Sequence, residues 1–194
     1  MVHHTEMAAE LWLIRHGETV WSLSGAHTGT TDLPLTAVGE MKARALGAKL
    51  AGHHFAMVLT SPLQRARRTC ELAGLGAQAQ VEQNLSEWNY GAYEGLSTAD
   101  IQRTRPGWSP FREGFPDGET IDQVASRAQA VIARALTADG DVALFAHGHI
   151  LRILATQWLK LQPADARLFA LNTASISTLG YEHETRVITS WNLD

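Results

Sequence analysis

Cysteine is all but absent from this 194-residue chain. Cys70 stands alone, so no disulfide can close within the chain and no cysteine cluster can hold zinc. That usage suits a reducing cytoplasm, where the protein is expected to reside, and leaves Cys70 as a small core side chain. Long apolar runs are missing too. No stretch approaches the ~20 residues that span a bilayer, and Met1 to Glu10 shows neither the apolar segment of a secretory signal nor an Arg-rich amphipathic pattern. Residues 1–10 are expected to form a flexible N-terminus, and no membrane partner is expected. Positive charge is not in excess: 16 Lys and Arg against 20 Asp and Glu leave a net charge of −4, which argues against a nucleic-acid surface. Any anion site must therefore be a local concentration of arginine. No Pro/Gly/Ser-rich linker, low-complexity tract or internal repeat divides residues 11–194, which read as one domain; oligomeric state is left open.

Hydrophobic residues make up 45% of the chain and charged residues 19%, enough for one well-buried soluble core. Leu11 to Ile14 is an apolar run that reads as a buried strand, and Ala56–Thr60, Ala79–Glu82 and 141–146 read as further strands. Thr36 caps a helix through about Gly52, with Val38, Met41, Ala45, Leu46 and Leu50 near one face. Ser61-Pro62 reads as N-cap and first position of a helix reaching about Leu72. Gln83 to Gly118 is irregular and rich in Trp and Tyr, and a loop that long is more often functional than idle. Glu119 opens the clearest helix, with Ile121, Val124, Ala125, Ala128, Val131, Ile132, Ala135 and Leu136 at helical spacing. A helix over about Ile150–Lys160 and β-like stretches at Ser175–Tyr181 and Arg186–Trp191 complete the pattern. Strands alternating with helices predict an α/β fold, a mainly parallel sheet covered on both faces.

Two strands end in the same way. Leu-Trp-Leu-Ile runs into Arg15-His16-Gly17, and Val142 to Ala146 runs into His147-Gly148-His149. Ligands of open α/β sheets bind beyond the carboxyl ends of the strands, so these two ends are candidates to converge on one site. Arg15 can hold an anion, His16 can act as base, acid or nucleophile, and Gly17 lets the backbone approach closely. Arg65 lies in the first turn of a helix, where free N–H groups favour phosphate, whereas an exposed basic face is the reading for two of Arg65, Arg67 and Arg68. Glu87 and Glu94 sit in an aromatic, glycine-rich loop. A carboxyl shielded by aromatic rings has its charged form disfavoured and suits a general acid; alternatively Glu94 pairs an arginine.

In this order, Leu-Ile-Arg-His-Gly-Glu-Thr at 13–19, Thr-Gly-Thr-Thr-Asp-Leu-Pro-Leu-Thr at 28–36, Ser-Pro-Leu-Gln-Arg-Ala-Arg-Arg-Thr at 61–69, Glu-Trp-Asn-Tyr-Gly-Ala-Tyr-Glu-Gly at 87–95, Gly-Glu-Thr at 118–120 and Ala-His-Gly-His at 146–149 resemble the histidine phosphatase superfamily. The resemblance runs from Leu11 to about Trp191. It implies a phosphoglycerate-mutase-like three-layer α/β/α sandwich and a phosphomonoester hydrolase acting on a small phosphorylated metabolite. It implies that His16 is the nucleophile and forms a phosphohistidine. Glu87 then protonates the leaving alcohol and activates water, and Arg15, Arg65 and His147 bind the phosphoryl oxygens. It also implies that Ser22, Thr28, Gly29 and Gly148 line the phosphate pocket and that Tyr90 flanks the substrate. A neutral His16 must attack, while a protonated His147 is useful as a donor. No metal or other cofactor is required by this scheme.

Trp21 is followed by Ser22 where the mutases of the superfamily usually carry Asn, and 87–95 looks like the phosphatase type. Residues 21–36 and Phe145 to Arg152 are similar to the branch of sedoheptulose-1,7-bisphosphatase-like sugar bisphosphatases. Arg152, a little over one helical turn after His147, is a candidate for a second substrate phosphate. Residues 97–117 form a lid insertion whose Arg103, Arg105 and Arg112 are candidates for substrate selection or ordinary solvated cations. Three other readings stay open. A phosphoglycerate mutase shares the core residues, and a non-catalytic member would bind a phosphorylated ligand. A metal site would use His147 and His149 with Asp32 or Glu119. The pairs His3-His4 and His53-His54 read as surface histidines, and no nucleophile elbow supports a Ser-His-Asp hydrolase.

Overall fold

Alternating side chains along the strands divide the apolar residues between two cores. Leu11, Leu13, Leu59, Val142 and Leu144 belong to one buried cluster, while Ile14, Val58, Ala143 and Phe145 belong to the other. A strand presents successive side chains to opposite faces, so strands buried throughout need a helical layer on each side. The computed structural model describes residues 9–194. Most of the expected flexible N-terminus, with His3-His4, lies outside the described residues. Glu10 is not free, because its N–H donates to Asp141 Oδ1 at 2.7 Å.

Six strands, β1 (Leu11–Arg15), β2 (Met57–Thr60), β3 (Ala79–Val81), β4 (Val142–Ala146), β5 (Ile176–Glu182) and β6 (Thr185–Leu193), form one sheet in the order β3-β2-β4-β1-β5-β6. The pairings among β3, β2, β4 and β1 are parallel, and β5 and β6 add an antiparallel edge. Helices α1 (Val20–Ser24), α2 (Ala37–Leu50), α3 (Gln64–Leu72), α4 (Thr98–Thr104), α5 (Pro110–Glu113), α6 (Ile121–Ala135) and α7 (Gly148–Trp158) connect them. α6 and α7 supply the first cluster, and α2 and α3 the second. The expected three layers are those observed. Among the described residues no helix is long and apolar enough to cross a membrane.

Several boundaries differ from expectation for identifiable reasons. α2 buries Gly39, Ala43, Leu46 and Leu50, while Val38 and Met41 are exposed. Close approach selects that face, since a Cβ on Gly39 would lie 2.2 Å from Glu18 O. α3 begins at Gln64, three residues after Ser61, because its cap comes from elsewhere in the chain: Asp32 Oδ1 accepts the Gln64 N–H at 2.8 Å. α6 is capped by Thr120, which forms a capping box with Gln123, and not opened by Glu119; Leu136 ends the helix 43% exposed. α7 starts at Gly148, directly off β4, and takes its cap from Glu87. His53 is no plain surface residue, for its Nε2 lies 2.7 Å from Asp141 Oδ2 and its ring packs on Trp12 and Phe55.

The stretch 83–118, expected to be irregular, carries α4, α5 and two short 3₁₀ turns at 83–85 and 91–93, and is held by aromatic packing. Trp88, Tyr90, Trp108, Phe111 and Phe115 are buried in the first core cluster. Arg103 pairs with Asp100, Arg105 pairs with Glu113, and Arg112 donates to Gly107 O, so all three serve the segment itself.

Candidate active site

The parallel register of β1 and β4 sets Arg15 beside Ala146, which brings His16 and His147 together with ring centroids 5.1 Å apart. His16 is buried, and its Nδ1 lies 2.7 Å from Gly17 O. A carbonyl only accepts, so Nδ1 carries the proton and Nε2 keeps its lone pair. Burial, followed by the charges of Arg65 and Arg15, holds the His16 pKa well below the usual histidine range. The ring is a neutral imidazole with a free nucleophilic nitrogen, and it lines a cavity of about 160 Å³. Glycine is needed next to it, because a Cβ on Gly17 would sit 2.6 Å from Gly39 O.

His147 is bonded at both nitrogens. Arg65 Nε donates to its Nδ1 at 3.0 Å, so Nε2 carries the proton and donates to Ser61 Oγ at 2.7 Å. Burial, then Arg65, also lowers its pKa well below the ordinary value. His147 is therefore a neutral imidazole whose Nδ1 accepts from Arg65, where a protonated donor had been expected. Arg65 is fully buried and donates further to Thr31 O, Thr28 O and Gly29 O. Four of its five N–H groups are thereby committed to protein. Arg65 ties loop 28–31 to His147 at the end of β4, and neither residue is among those lining the cavity. Arg67 and Arg68 are exposed, as expected for two of the three arginines.

Glu87 is buried and accepts three main-chain N–H groups: Trp88 and Ile150 on Oε1 at 2.8 and 3.0 Å, and His149 on Oε2 at 2.9 Å. It docks on the first turn of α7 and faces the same pocket as His16. Arg15 lines that pocket as well. Its Nη1 donates to Leu171 O, while its buried Nε has no hydrogen-bond partner. An unpaired buried donor costs about 1–3 kcal/mol until an acceptor reaches it, which suits Arg15 to an anionic oxygen.

Residues 11–194, the stretch that carries this whole arrangement, match the family model of the histidine phosphatase superfamily (branch 1). The chain belongs to that superfamily. Among curated relatives it is 41% identical over 180 residues to an acid phosphatase of Mycobacterium tuberculosis, covering 91% of this chain and 88% of that protein. It is 35% identical over 182 residues to sedoheptulose 1,7-bisphosphatase of Saccharomyces cerevisiae, covering 77% and 67%. The solved structure of a Mycobacterium tuberculosis open reading frame product superposes with a TM-score of 0.91 at 40% identity, over 95% of this chain and 97% of that one.

In this histidine phosphatase the remaining expected residues divide. Ser22, Thr28, Tyr90, Gly148 and Arg152 line the pocket. Gly29 does not: its N–H donates to Glu94 Oε1 at 2.8 Å, and a Cβ there would lie 2.5 Å from Trp88 O. Glu94, read either as a shielded acid or as an arginine's partner, instead holds the N–H groups of Gly29 and Thr31. Arg152 presents its guanidinium 4.8 Å above the Phe111 ring, with Nε donating to Ala166 O at 3.1 Å, so its terminal nitrogens are the ones left to meet a ligand. The ligands imagined for a metal are otherwise engaged: Asp32 caps α3, and Glu119 binds Arg127 at 2.8 Å. Among the described residues no group of three or more His, Cys, Asp or Glu is arranged to hold a metal.

Two pocket residues carried little signal in the sequence. His27 follows no motif of its own, yet it lines the pocket among Tyr90, Trp108 and Phe115, and burial lowers its pKa to about 4. His149 had weight only as a metal ligand; it lines the pocket with Nδ1 2.5 Å from the Tyr90 hydroxyl.

Proposed function

We propose that this histidine phosphatase hydrolyses a phosphomonoester through a phosphohistidine at His16, without a metal. The carrying observation is the neutral His16, whose Nδ1–H is spent on Gly17 O while Nε2 shares a pocket with Arg15 and Glu87. His16 Nε2 attacks phosphorus, and the bond to the leaving oxygen breaks as Glu87, entering the step as the protonated acid, passes that oxygen its proton. Water, losing its proton to Glu87, then releases inorganic phosphate. Charge on the phosphoryl oxygens meets the Arg15 Nε–H and the N-terminal end of α7 at Gly148. Arg65 adds positive potential to the site, and the neutral His147, bonded at both nitrogens, holds that guanidinium against the end of β4.

Hydrolysis rather than mutase chemistry is supported by the phosphatase names of the acid phosphatase and bisphosphatase relatives. The substrate we propose is a small phosphorylated metabolite, with a sugar bisphosphate favoured because Arg152 sits in the pocket with free terminal nitrogens. We place the protein in the cytoplasm, in keeping with its single buried cysteine. The test is phosphate release in the presence of a chelator from sugar bisphosphates, sugar monophosphates and phosphoglycerates, with trapping of an acid-labile, alkali-stable phosphoenzyme. His16-dependent turnover and trapping support the proposal. Turnover that survives His16→Ala, or that stops on chelation, overturns it. An Arg152→Ala variant that loses equal activity on bisphosphates and monophosphates removes the second-phosphate role.

A further inference from the structure

Arg127, on α6, takes no part in the phosphoryl-transfer steps and does not line the pocket, yet all five of its N–H groups are spent on the chain around Glu87. Nη1 donates to Asn84 O at 2.7 Å and to Ser86 O at 2.8 Å, and Nη2 to Glu87 O at 3.4 Å. Nε and Nη2 also donate to the two carboxylate oxygens of Glu119, at 2.8 and 2.9 Å. Glu119 in turn takes the other side of Glu87. Its Oε2 accepts the Asn89 N–H at 2.9 Å, its carbonyl accepts Trp88 Nε1 at 2.8 Å, and its own N–H donates to Asn89 O at 3.0 Å. Arg127 thus grips 84–87, Glu119 grips 88–89, and a two-pronged ion pair joins them.

Other groups hold the Glu87 carboxyl itself: the N–H groups of Trp88, His149 and Ile150, and the Tyr90 hydroxyl. Those bonds orient the carboxyl but leave the main chain behind it to be fixed from elsewhere. Regular structure does not do so, for residues 83–85 make a single 3₁₀ turn and Ser86 to Tyr90 belong to no helix or strand. Carbonyls in such a segment have no ladder partner, and the guanidinium serves three of them at once. A general acid works only within hydrogen-bond reach of the oxygen it protonates, so the path of 84–89 decides whether Glu87 arrives there.

We infer that Arg127 is a positioning residue for the proton step, acting through Glu87, with Glu119 as its counter-ion and as the second jaw of the clamp. This rests on the reading of Glu87 as the acid and extends the machinery to an ion pair outside the pocket. The consequence is selective. A displaced acid slows the departure of an alkoxide, which needs a proton as it leaves, and hardly affects that of a nitrophenolate, which does not.

The test measures kcat/KM, which covers the steps up to phosphoryl transfer to His16, on glycerol 2-phosphate and 4-nitrophenyl phosphate. Arg127→Ala is expected to lose about thirtyfold on the glycerol ester and no more than about threefold on the nitrophenyl ester. Arg127→Lys keeps the charge but not the planar fork, and is expected to show the same pattern at smaller size. Guanidinium ion added to Arg127→Ala should restore part of the loss on the glycerol ester. In a Glu87→Gln background, Arg127→Ala should cost nothing further on that ester. No loss, or equal losses on both esters, in Arg127→Ala or, where that variant does not fold, in Arg127→Lys, overturns this inference and leaves the hydrolase reading standing. A loss undiminished in the Glu87→Gln background does the same. If Glu87→Gln alone costs equally on both esters, the acid reading and this inference fall together.

Discussion

His16 and His147 occupy equivalent positions at the ends of neighbouring parallel strands, and burial keeps both neutral, yet their ring nitrogens are used in opposite ways. His16 spends one nitrogen on its own neighbour, Gly17 O, and leaves the other for the pocket. His147 spends both, one on Arg65 and one on Ser61. The strand-end motif provides a placed imidazole; the bonding around it decides whether that imidazole reacts or is held. Each strand end is also held by a hydroxyl that follows β2, one from within α3 and one from the β2–α3 connection. Thr69 Oγ1 accepts the Gly17 N–H at 3.0 Å, and Ser61 Oγ receives His147 Nε2 at 2.7 Å.

The largest break in this comparison is removal of each ring. His16→Ala deletes the bond-forming atom, so kcat is expected to fall by roughly 10⁴ or more with no phosphoenzyme trapped. His147→Ala removes a placed imidazole that forms no bond to phosphorus, and its loss should be nearer 10²–10³, with trapping still detectable. Equal losses and no trapping in both would show that the two rings act as one unit. Glu87→Gln probes the proton rather than the nucleophile. It should cost about 10²–10⁴ on an alkyl phosphate and far less on a nitrophenyl phosphate, whose leaving oxygen needs no proton.

The hydroxyls sharpen the contrast at smaller amplitude. Thr69→Val leaves the buried Gly17 N–H without an acceptor and is expected to cost about 1–3 kcal/mol of stability, read as a lower denaturant midpoint. Ser61→Ala frees His147 Nε2 and should lower kcat about tenfold while KM moves little. Acid titration tests the shared neutrality. His27, whose pKa falls to about 4, stays neutral in the fold while the unfolded chain protonates near pH 6.5. Its contribution to stability is thus complete above about 6.5 and lost as pH falls from there toward 4. The thermal midpoint should drop between pH 7 and 5, and His27→Asn should flatten that slope. For His16 the same sign keeps the nucleophile neutral below pH 6.5, so kcat/KM should show no acid limb near the ordinary histidine value.

Much of this was legible in the chain because period-2 alternation and strand-end motifs are local. Leu11–Arg15 and Val142–Ala146 appear as strands from a handful of consecutive residues, and their His-Gly ends follow at once. What was not legible depends on groups far apart in sequence. Ser61 looked like a helix cap because a serine before a proline is a local signal, but Asp32, 32 residues away, caps α3 and leaves Ser61 to hold His147. The start of α7 was placed late for the same reason, its cap being a carboxylate 62 residues earlier. Gly29 resembled a phosphate-loop glycine, whereas its neighbours Trp88 and Glu94 leave no room for a side chain. The face of α2 was misread because hydrophobicity marks burial only where there is space for a side chain, and here Gly39 and Ala43 pack closest.

The remote cap yields the smallest and most selective prediction. Asp32→Ala removes the acceptor of the Gln64 N–H at the head of α3, one residue before Arg65. Loss of such a cap costs about 1 kcal/mol. Its catalytic effect should fall mainly on one strand end. Arg65 is bonded directly to His147 and reaches the other strand end only through the Thr69 hydroxyl, so loosening the first turn of α3 should bear first on the held histidine. A two- to fivefold fall in kcat is expected, by roughly the fraction of that cap energy that reaches His147. Combined with Ser61→Ala, Asp32→Ala should add less than its separate effect, since both loosen the same ring. Full additivity with Ser61→Ala would mean that Arg65 does not act through His147, and the division of labour between the two strand ends would have to be redrawn.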